Sequence, residues 1–216
     1  MQVSIARPDK AKVKVSRVRQ KNIRIIMQAA EDEFVSSGFK GASIRDIANR
    51  AGLPKANVHY YFSSKQDLYS AVLDHIMELW ENVFSGLDVN DDPEKAFRSY
   101  INAKMRYCQN HSKASRVFSS EILHGGQRFK EYSHGFSNWI NEKSDVIHAW
   151  IKAGKMDPVD PVHLLFTIWA TTQYYVDFRP QVASVLGTEY LSEKDLNAAT
   201  ESLTQLIIKG CGIKCN

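Results

Sequence analysis

The stretch that decides the fold is Ser43–Leu68, which reads SIRDIANRAGLPKANVHYYFSSKQDL. Ser43 is a good helix N-cap, because its hydroxyl can accept a hydrogen bond from an N–H group of the first turn. Apolar residues then recur at helical spacing until Gly52, where a left-handed residue would end a short helix. Pro54 suits the first position of a second short helix, since no N–H donor is needed there. Ser64–Asp67 resembles a capping box that opens a third helix, with Asp in place of the usual Glu.

Two short helices joined by a Gly-containing turn are typical of a helix-turn-helix, whose second helix lies in the DNA major groove. Such a helix needs donors and acceptors on its outer face and an apolar inner face, which Val58 with Tyr61 or Phe62 can supply. The alternative is a surface helical hairpin that binds no nucleic acid. The residues that we expect to contact DNA are Ser43, Arg45, Lys55, Ala56, Asn57, His59, Tyr60, Tyr61 and Lys65. Among them, Ser43, Arg45, Tyr61 and Lys65 are expected to contact the phosphate backbone rather than bases.

The charge of the chain is concentrated at its N-terminus. The formal net charge of the whole chain is +4, whereas residues 1–24 hold eight basic residues and one Asp, a balance of +7. Such asymmetry predicts a basic arm for a polyanion at residues 1–19, followed by the helix-turn-helix domain at residues 20–63. The alternative is a solvated tail that keeps the protein in solution.

The first fifty or so residues after the arm resemble a known family. The matching motifs are Ala29-Ala30-x-x-x-Phe34, Gly38-Phe39, Ser43-Ile44-Arg45-Asp46-Ile47-Ala48, Ala51-Gly52 and Tyr60-Tyr61-Phe62-Ser63-Ser64-Lys65. Together they resemble the DNA-binding domain of the TetR family of bacterial transcriptional repressors. Two pairs depart from the family pattern: Ala42-Ser43, where many members have Thr first, and Leu53-Pro54, where Val-Ser is common. The second departure removes a possible phosphate contact.

Residues 64–216 are predicted to form a second domain that is helical throughout. No stretch alternates polar and apolar residues as a strand would, so the chain is expected to be all-α with about nine helices. Outside the helix-turn-helix, the expected helices lie at about 20–37, 65–84, 93–110, 117–122, 127–153, 161–178 and 196–207. The TetR resemblance implies that this domain binds a ligand and forms the dimer.

The helix expected between Asp160 and Phe178 is apolar on nearly all sides, so most of its surface must be buried. In the TetR family the last two helices form a four-helix bundle with their symmetry mates. The resemblance therefore implies a homodimer through this helix and the Leu196–Ile207 helix. A two-fold dimer matches a palindromic operator in double-stranded DNA, with half-sites about one helical turn or a multiple apart.

The same helix carries a candidate effector pocket. Trp169 and Tyr174 or Tyr175 can supply flat contacts, and Gln173 a fork of donor and acceptor. The alternative is that polar side chains such as Gln173 and Asp177 bond one another, the backbone or the dimer mate.

A closer resemblance within the family bears on the ligand of this pocket. The motifs Ser115-Arg116-Val117-Phe118, Asn141-Glu142-Lys143-Ser144, Ile168–Gln173 and Asp177-Phe178-x-Pro180-Gln181-Val182 resemble pyrimidine-responsive repressors. This closer resemblance implies uracil, thymine or a related pyrimidine as the effector. The candidate effector contacts are Trp80, Trp169, Gln173 and Tyr174. The other hypothesis is a repressor of the same fold that senses a hydrophobic effector, such as an acyl chain or a drug.

The sequence argues against an enzyme, a disulfide-rich or metal-binding protein, a membrane protein and a secreted protein. The His residues share no catalytic spacing, and no Gly-rich phosphate loop or nucleophile motif is present, so we expect no enzyme, catalytic residue or cofactor. Cys108, Cys211 and Cys215 lack the spacing of a disulfide framework and are expected to be reduced thiols without a metal. The longest uncharged run, Leu164–Val176, is too short for a membrane span, which needs about 20 residues. The N-terminus lacks the apolar region of a signal peptide, so a cytoplasmic protein is expected.

Overall fold

The computed structural model describes residues 10–84, 87–131 and 133–213, and all regular elements in those residues are helical. They form two units, Met1–Asp74 and His75–Asn216. The all-α prediction is therefore confirmed for the described residues. The α-helices are α1 Lys10–Gly41, α2 Ile44–Ala51, α3 Lys55–Tyr61, α4 Lys65–Phe84, α5 Pro93–Asn110, α6 Ser112–Leu123, α7 Ser133–Lys152, α8 Pro161–Asp177, α9 Arg179–Val185 and α10 Glu193–Gly210, with a 3-10 helix at Phe129–Glu131.

The first helix is longer than the sequence predicted. We expected it to begin near Gln20, but α1 begins at Lys10, because no Gly or Pro after Pro8 interrupts helical backbone there. The predicted break at Gly38 is present, since this residue has φ 65° and ψ 173° inside the helix. Residues 1–9 of the predicted basic arm lie outside the described residues.

The helix-turn-helix is formed by α2 and α3. The N–H of Asp46 donates to the Ser43 hydroxyl over 3.2 Å, and Gly52 ends α2 with φ 64°, as predicted. Pro54 precedes α3 instead of occupying its first position, because its ψ of 142° is extended. Val58 is fully buried and fixes the inner face of α3.

The start of α4 departs in one detail from a capping box. The N–H of Asp67 donates to the Ser64 hydroxyl over 3.0 Å, as predicted. The Asp67 carboxylate, however, accepts from the N–H of Ser63 over 2.8 Å. The second half of the box is thus shifted by one residue toward the end of α3.

Unit 2 has a core of large side chains from several helices, among them Phe97 and Tyr100 on α5, Trp150 on α7 and Leu165 on α8. The predicted caps are confirmed, since Asp92 accepts from the N–H of Lys95 and Asp160 from the N–H of His163.

Two predictions about unit 2 were wrong. The helix predicted from about Gln127 is replaced by the 3-10 helix Phe129–Glu131 and by α7, which begins only at Ser133. Helix α9 was missed because Arg179-Pro180 suggested a stop, yet a proline is tolerated in the first turn of a helix.

Candidate DNA-binding and effector sites

The outer face of α3 carries most of the predicted groove contacts. Lys55, Ala56, His59 and Tyr60 are exposed, and Tyr60 has 78% of its surface accessible. Asn57 is half-buried. Because Val58 holds the opposite face inside the unit, α3 has the division that a groove-reading helix needs.

The predicted phosphate contacts of unit 1 have different surroundings. Arg45 is exposed on α2. Ser43 is engaged within its own helix, because its hydroxyl caps α2 and donates to the Asp46 carboxylate. Tyr61 is half-buried, and its hydroxyl accepts from the side-chain amide of Asn22 over 3.3 Å. Arg45 is thus the most accessible of these three for a phosphate.

Lys65 has a structural part that its sequence position did not indicate. Its ammonium donates to the backbone carbonyl oxygens of Phe39 over 2.7 Å, Ala42 over 2.8 Å and Lys40 over 3.3 Å. It also lies 4.7 Å from the centre of the Phe39 ring. An ammonium has three N–H donors, so these carbonyls at the end of α1 can use all of them. Its contact with a phosphate stays a prediction.

In unit 2, three helices place side chains at i, i+4 spacing around Gln173. We call the following set the polar cluster: Lys104 and Cys108 on α5, Ser115 and Ser119 on α6, and Gln173 and Asp177 on α8. Because residues four apart share one face of a helix, each helix turns such a pair to the same side.

Gln173 is the centre of this cluster. Its Nε2 donates to Ser115 over 2.8 Å, to Asp177 over 3.0 Å and to Ser119 over 3.1 Å. Its Oε1 lies 3.2 Å from the Ser115 hydroxyl and 3.9 Å from the Cys108 sulfur. The Asp177 carboxylate also accepts from Ser119 over 2.9 Å. Without a ligand, these polar groups therefore bond one another, which is one of the two alternatives left open by the sequence.

Aromatic rings extend from this cluster in an unbroken series, which we call the aromatic wall. Trp80 lies 4.3 Å from Phe118, and the series continues through Phe129 and Phe136 to Trp169, with centroid distances of 5.2–5.7 Å. The Trp169 ring N–H donates to the Tyr100 hydroxyl over 2.6 Å. Trp80, Trp169 and Gln173, predicted as effector contacts, thus belong to one continuous group of aromatic and polar side chains.

Burial changes the titration of several groups near Gln173. It lowers the pKa of Lys104, although the nearby Cys108 and Asp177 partly oppose this shift. It raises the pKa of the Cys108 thiol, against the effect of Lys104. It also raises the pKa of Tyr100, whose bond from Trp169 acts in the opposite direction. Desolvation disfavours each charged form, so the interior of unit 2 favours neutral groups.

Tyr174 is placed apart from the other predicted effector contacts. It is 42% exposed, and its ring stacks on Phe178 at 4.9 Å. Its contact with an effector stays a prediction. It belongs to a set of exposed apolar side chains on and beside the last long helices, namely Phe166, Tyr174, Phe178 and Leu206.

An open groove of about 370 Å³ lies between α8 and α10. It is lined by Val159, Asp160, His163, Leu164, Thr167, Ile207, Gly210 and Cys211. None of the predicted effector contacts lines it. The groove lies between the two helices predicted to form the dimer, and so it bears on association of chains more than on the effector.

Two of the three cysteines lie in the described part of the chain. Cys108 and Cys211 are buried free thiols there, whereas Cys215 lies outside it. The described residues contain no group of His, Cys, Asp and Glu side chains suited to a metal. Within those same residues, no helix combines the length and the apolar character that crossing a membrane requires.

Comparisons with known proteins agree with both units. The family model for bacterial regulatory proteins of the tetR family matches residues 26–72, and the model for the YcdC-like protein C-terminal region matches residues 73–214. The chain is 38% identical over 198 residues to the HTH-type transcriptional regulator RutR of Escherichia coli strain K12, covering 91% of this chain and 93% of that protein.

Two solved structures share the fold. A regulatory protein of the tetR family from Rhodococcus RHA1 has a TM-score of 0.72 at 16% identity, over 90% of this chain and 99% of that one. AibR, solved with isovaleryl coenzyme A and operator DNA, has a TM-score of 0.66 at 15% identity, over 86% of this chain and 97% of that one.

The family match extends over both units, and the helix-turn-helix formed by α2 and α3 lies within residues 26–72, which the tetR family model matches. The relatives are transcriptional regulators and not enzymes. The chain therefore belongs to the TetR family of DNA-binding transcriptional regulators.

Proposed function

We propose that the protein is a repressor that binds a palindromic operator as a homodimer and responds to uracil, thymine or a related pyrimidine. The observation that carries the pyrimidine part is the placement of Gln173 beside the aromatic wall. A flat ring with amide-like edges needs a stacking surface and a fork of donor and acceptor, and these side chains supply both. The identity with RutR over most of the chain supports the resemblance on which this expectation was based.

The apo hydrogen bonds of Gln173 define what a ligand must replace. Its two N–H groups have three acceptors within 3.1 Å, so one acceptor remains for a ligand donor even in the bonded state. An effector that offers its own donor and acceptor can exchange with Ser115 or Ser119 without leaving a buried polar group unsatisfied. That exchange favours a heterocycle over a purely apolar molecule.

The homodimer is supported by the exposed surface of α8 and α10. Phe166 is 45% exposed, Phe178 51% and Leu206 66%, and the groove between the two helices is open. Large apolar side chains that remain exposed on two packed helices are typical of an interface. We infer that a second copy of the chain covers them, and that its two-fold symmetry sets the spacing of the operator half-sites.

The response to the effector is proposed to pass through α4. This helix runs unbroken from Lys65, just after the recognition helix, to Phe84, and its second half carries Trp80. A ligand can change DNA affinity only through its different affinity for the two states of the protein. We infer that occupancy beside Trp80 favours a position of α4 that binds the operator less well.

A second candidate is a hydrophobic effector, favoured by the length of the aromatic wall and by the acyl compound in the AibR structure. In that case the effector would contact the rings alone, and Gln173 would keep its internal bonds. The two candidates thus differ in whether Gln173 takes part.

A thermal melt of the full chain with uracil, thymine, their dihydro forms and a panel of acyl and aromatic compounds tests the proposal. A ligand at 100 times its dissociation constant adds about 2.7 kcal/mol to the native state, which a melt resolves readily. A pyrimidine shift that disappears in Gln173→Ala is expected to persist in Tyr190→Ala, a change at a side chain that is 72% exposed. A melting-temperature shift with an acyl compound alone would exclude the pyrimidine as the effector and support the hydrophobic effector.

A further inference from the structure

Helix α1 carries a row of basic side chains outside the helix-turn-helix. Arg17, Lys21 and Arg24 are exposed and lie at i, i+4 and i+7. On a helix of about 3.6 residues per turn these positions fall within about 60° of one another, so they share one face. We call these three residues the basic stripe. In the sequence, Lys14 and Lys10 continue the same spacing toward the start of the helix.

The basic stripe lies beside the end of α3. Asn22, the residue after Lys21, donates from its side-chain amide to the hydroxyl of Tyr61 over 3.3 Å, and Tyr61 is the last residue of α3. The Tyr61 ring lies 5.0 Å from that of Tyr60, which is 78% exposed on the outer face of α3. The stripe is therefore next to the surface with which α3 is proposed to meet DNA.

This part of α1 is open to solvent on every side. Residues 17–21 are all exposed, and five successive residues cover more than one turn of an α-helix. Arg17 and Lys21 are like charges one turn apart, which destabilises a helix. Among the described residues, no acidic side chain forms an ion pair with Arg17, Lys21 or Arg24. A polyanion bound along this face would relieve the repulsion.

The charge and length of this part of α1 suit duplex DNA. From Asn22 back to its start at Lys10, the helix extends about 18 Å at about 1.5 Å per residue. That length corresponds to about five base pairs at about 3.4 Å each, along which both strands present phosphates. The helix can thus follow the DNA backbone outside the groove that α3 enters.

We propose that the basic stripe binds phosphates of the duplex that flanks each operator half-site, outside the base pairs contacted by α3. The inference rests on the proposed function and extends its DNA contacts from the helix-turn-helix to α1. It also goes beyond the expected basic arm, because Lys21 and Arg24 follow residue 19, where that arm was expected to end. Since phosphate contacts carry no sequence information directly, the stripe contributes whatever the flanking sequence is.

The test measures how salt changes the affinity of the full chain for DNA. The probe is a palindromic duplex that wild type selects from a random pool, with a flank of about eight base pairs on each side to exceed the length of the stripe. Each phosphate contact contributes about 0.9 to the slope of log affinity against log salt. Arg17→Gln should lower the slope by about 0.9 per subunit, and the triple variant R17Q/K21Q/R24Q by about 2.7 per subunit.

Arg19→Gln is the matched control. Arg19 is an exposed arginine of the same helix that lies about 200° around the axis from Arg17. The control removes the same charge from the opposite face, so the slope should stay at the wild-type value. Arg17→Lys keeps the charge and should also keep the slope. Circular dichroism checks folding, which is expected to be preserved because the sites are exposed and Gln is a good helix former.

Shortening the DNA tests the same contacts from the other side. Without flanks, the palindrome should bind wild type about 10-fold more weakly, whichever of two unrelated flanking sequences it is compared with. In the triple variant, removing the flanks should change affinity by less than about 2-fold.

The outcomes separate this inference from the proposed function. If the slope is unchanged in the triple variant, or falls equally in Arg17→Gln and Arg19→Gln, the stripe contact is overturned while operator binding stands. If wild type selects no palindrome, both are overturned. Binding of wild type to phosphatidylserine vesicles that is lost in the triple variant, with an unchanged DNA slope, would overturn the inference in favour of an anionic membrane surface.

Discussion

The guanidinium of Arg50 lies 3.0 Å from the carboxylate of Glu33, and this ion pair joins α2 to α1 inside the DNA-binding unit. Glu33 is buried, whereas the Arg50 side chain is 44% exposed. The second carboxylate oxygen of Glu33 accepts from the Ser37 hydroxyl over 2.9 Å. A buried carboxylate with two fixed donors holds α2 at a defined position on α1, and α3 follows α2 after a short turn.

Arg50→Ala is expected to destabilise unit 1 by about 1 kcal/mol, since it removes one of two donors from a buried carboxylate. The expected loss of stability is at the low end of the range for a buried group that loses a donor, because water screens the half-exposed guanidinium. Urea unfolding followed by circular dichroism measures the effect. Arg45→Ala is the matched control, because Arg45 is exposed on the same helix, and its effect should stay within about 0.5 kcal/mol. Equal stability of the two variants would contradict the role of the ion pair.

Two substitutions on α3 test the assignment of the recognition helix. Asn57→Ala should weaken binding to the specific operator by about 1–3 kcal/mol, the range for loss of a base-edge contact. Lys55→Ala should weaken binding and, if its contact is with a phosphate, reduce the salt slope by about one. Gel-shift titration at several salt concentrations measures both.

The α3 variants have an internal control. Effector-induced changes in melting temperature should be unaltered in them, because the polar cluster lies in the other unit. Lys152→Ala, an exposed change on α7, should leave operator binding unchanged. Wild-type operator affinity in both α3 variants would contradict the assignment.

The sequence predicted those elements whose ends depend on local contacts. Ser43, Asp92 and Asp160 each cap their helix through a bond to an N–H three residues ahead, which depends on residue type and spacing alone. The starts of α1 at Lys10 and of α7 at Ser133 were not predicted, because the sequence reasoning placed them near Gln20 and Gln127.

The polar cluster and the aromatic wall were only partly predictable for a different reason. Trp169 and Gln173 stood out because aromatic and amide side chains share one helix. Lys104 was missed, since lysine in a helix usually faces water. A signal was available, because Lys104 lies on the apolar face formed by Phe97, Tyr100, Ile101 and Met105. Lys65 gave no comparable signal, since its carbonyl partners at the end of α1 are more than twenty residues away.

Leu206→Asp tests the proposed dimer surface. Leu206 is 66% exposed on α10, so a charge there costs the isolated chain little, whereas in an apolar interface it would be buried without a partner. We expect a monomer by light scattering with unchanged helix content, and at least 10-fold weaker operator binding, since each half-site would be bound separately.

Leu123→Asp is the control for Leu206→Asp. Leu123 is 84% exposed at the end of α6, outside the two helices of the proposed interface. This variant should keep the oligomeric state of wild type. A dimer in Leu206→Asp would place the interface elsewhere, and a monomeric wild type would exclude the homodimer.

Tyr100→Phe tests the bond that joins α5 to α8 at one end of the aromatic wall. The change removes only the hydroxyl, which accepts from the Trp169 ring N–H over 2.6 Å. Tyr100 is 1% exposed, so the change removes an acceptor of the Trp169 N–H from the interior of unit 2. The expected loss of unfolding free energy is about 1–3 kcal/mol, the cost of a buried donor without its acceptor.

The effector response separates this bond from a purely structural contact. Trp169 is a candidate stacking surface, so loss of its bond to Tyr100 should also weaken binding of the pyrimidine. The dissociation constant should therefore rise as the free energy of unfolding falls. Phe97→Leu is the comparison, since it alters the same helix and core but leaves the Trp169 bond intact. If both variants lose stability but only Tyr100→Phe loses affinity, the bond orients Trp169 for the ligand. Equal loss of affinity in both would mean that Tyr100 acts through the general packing of the core.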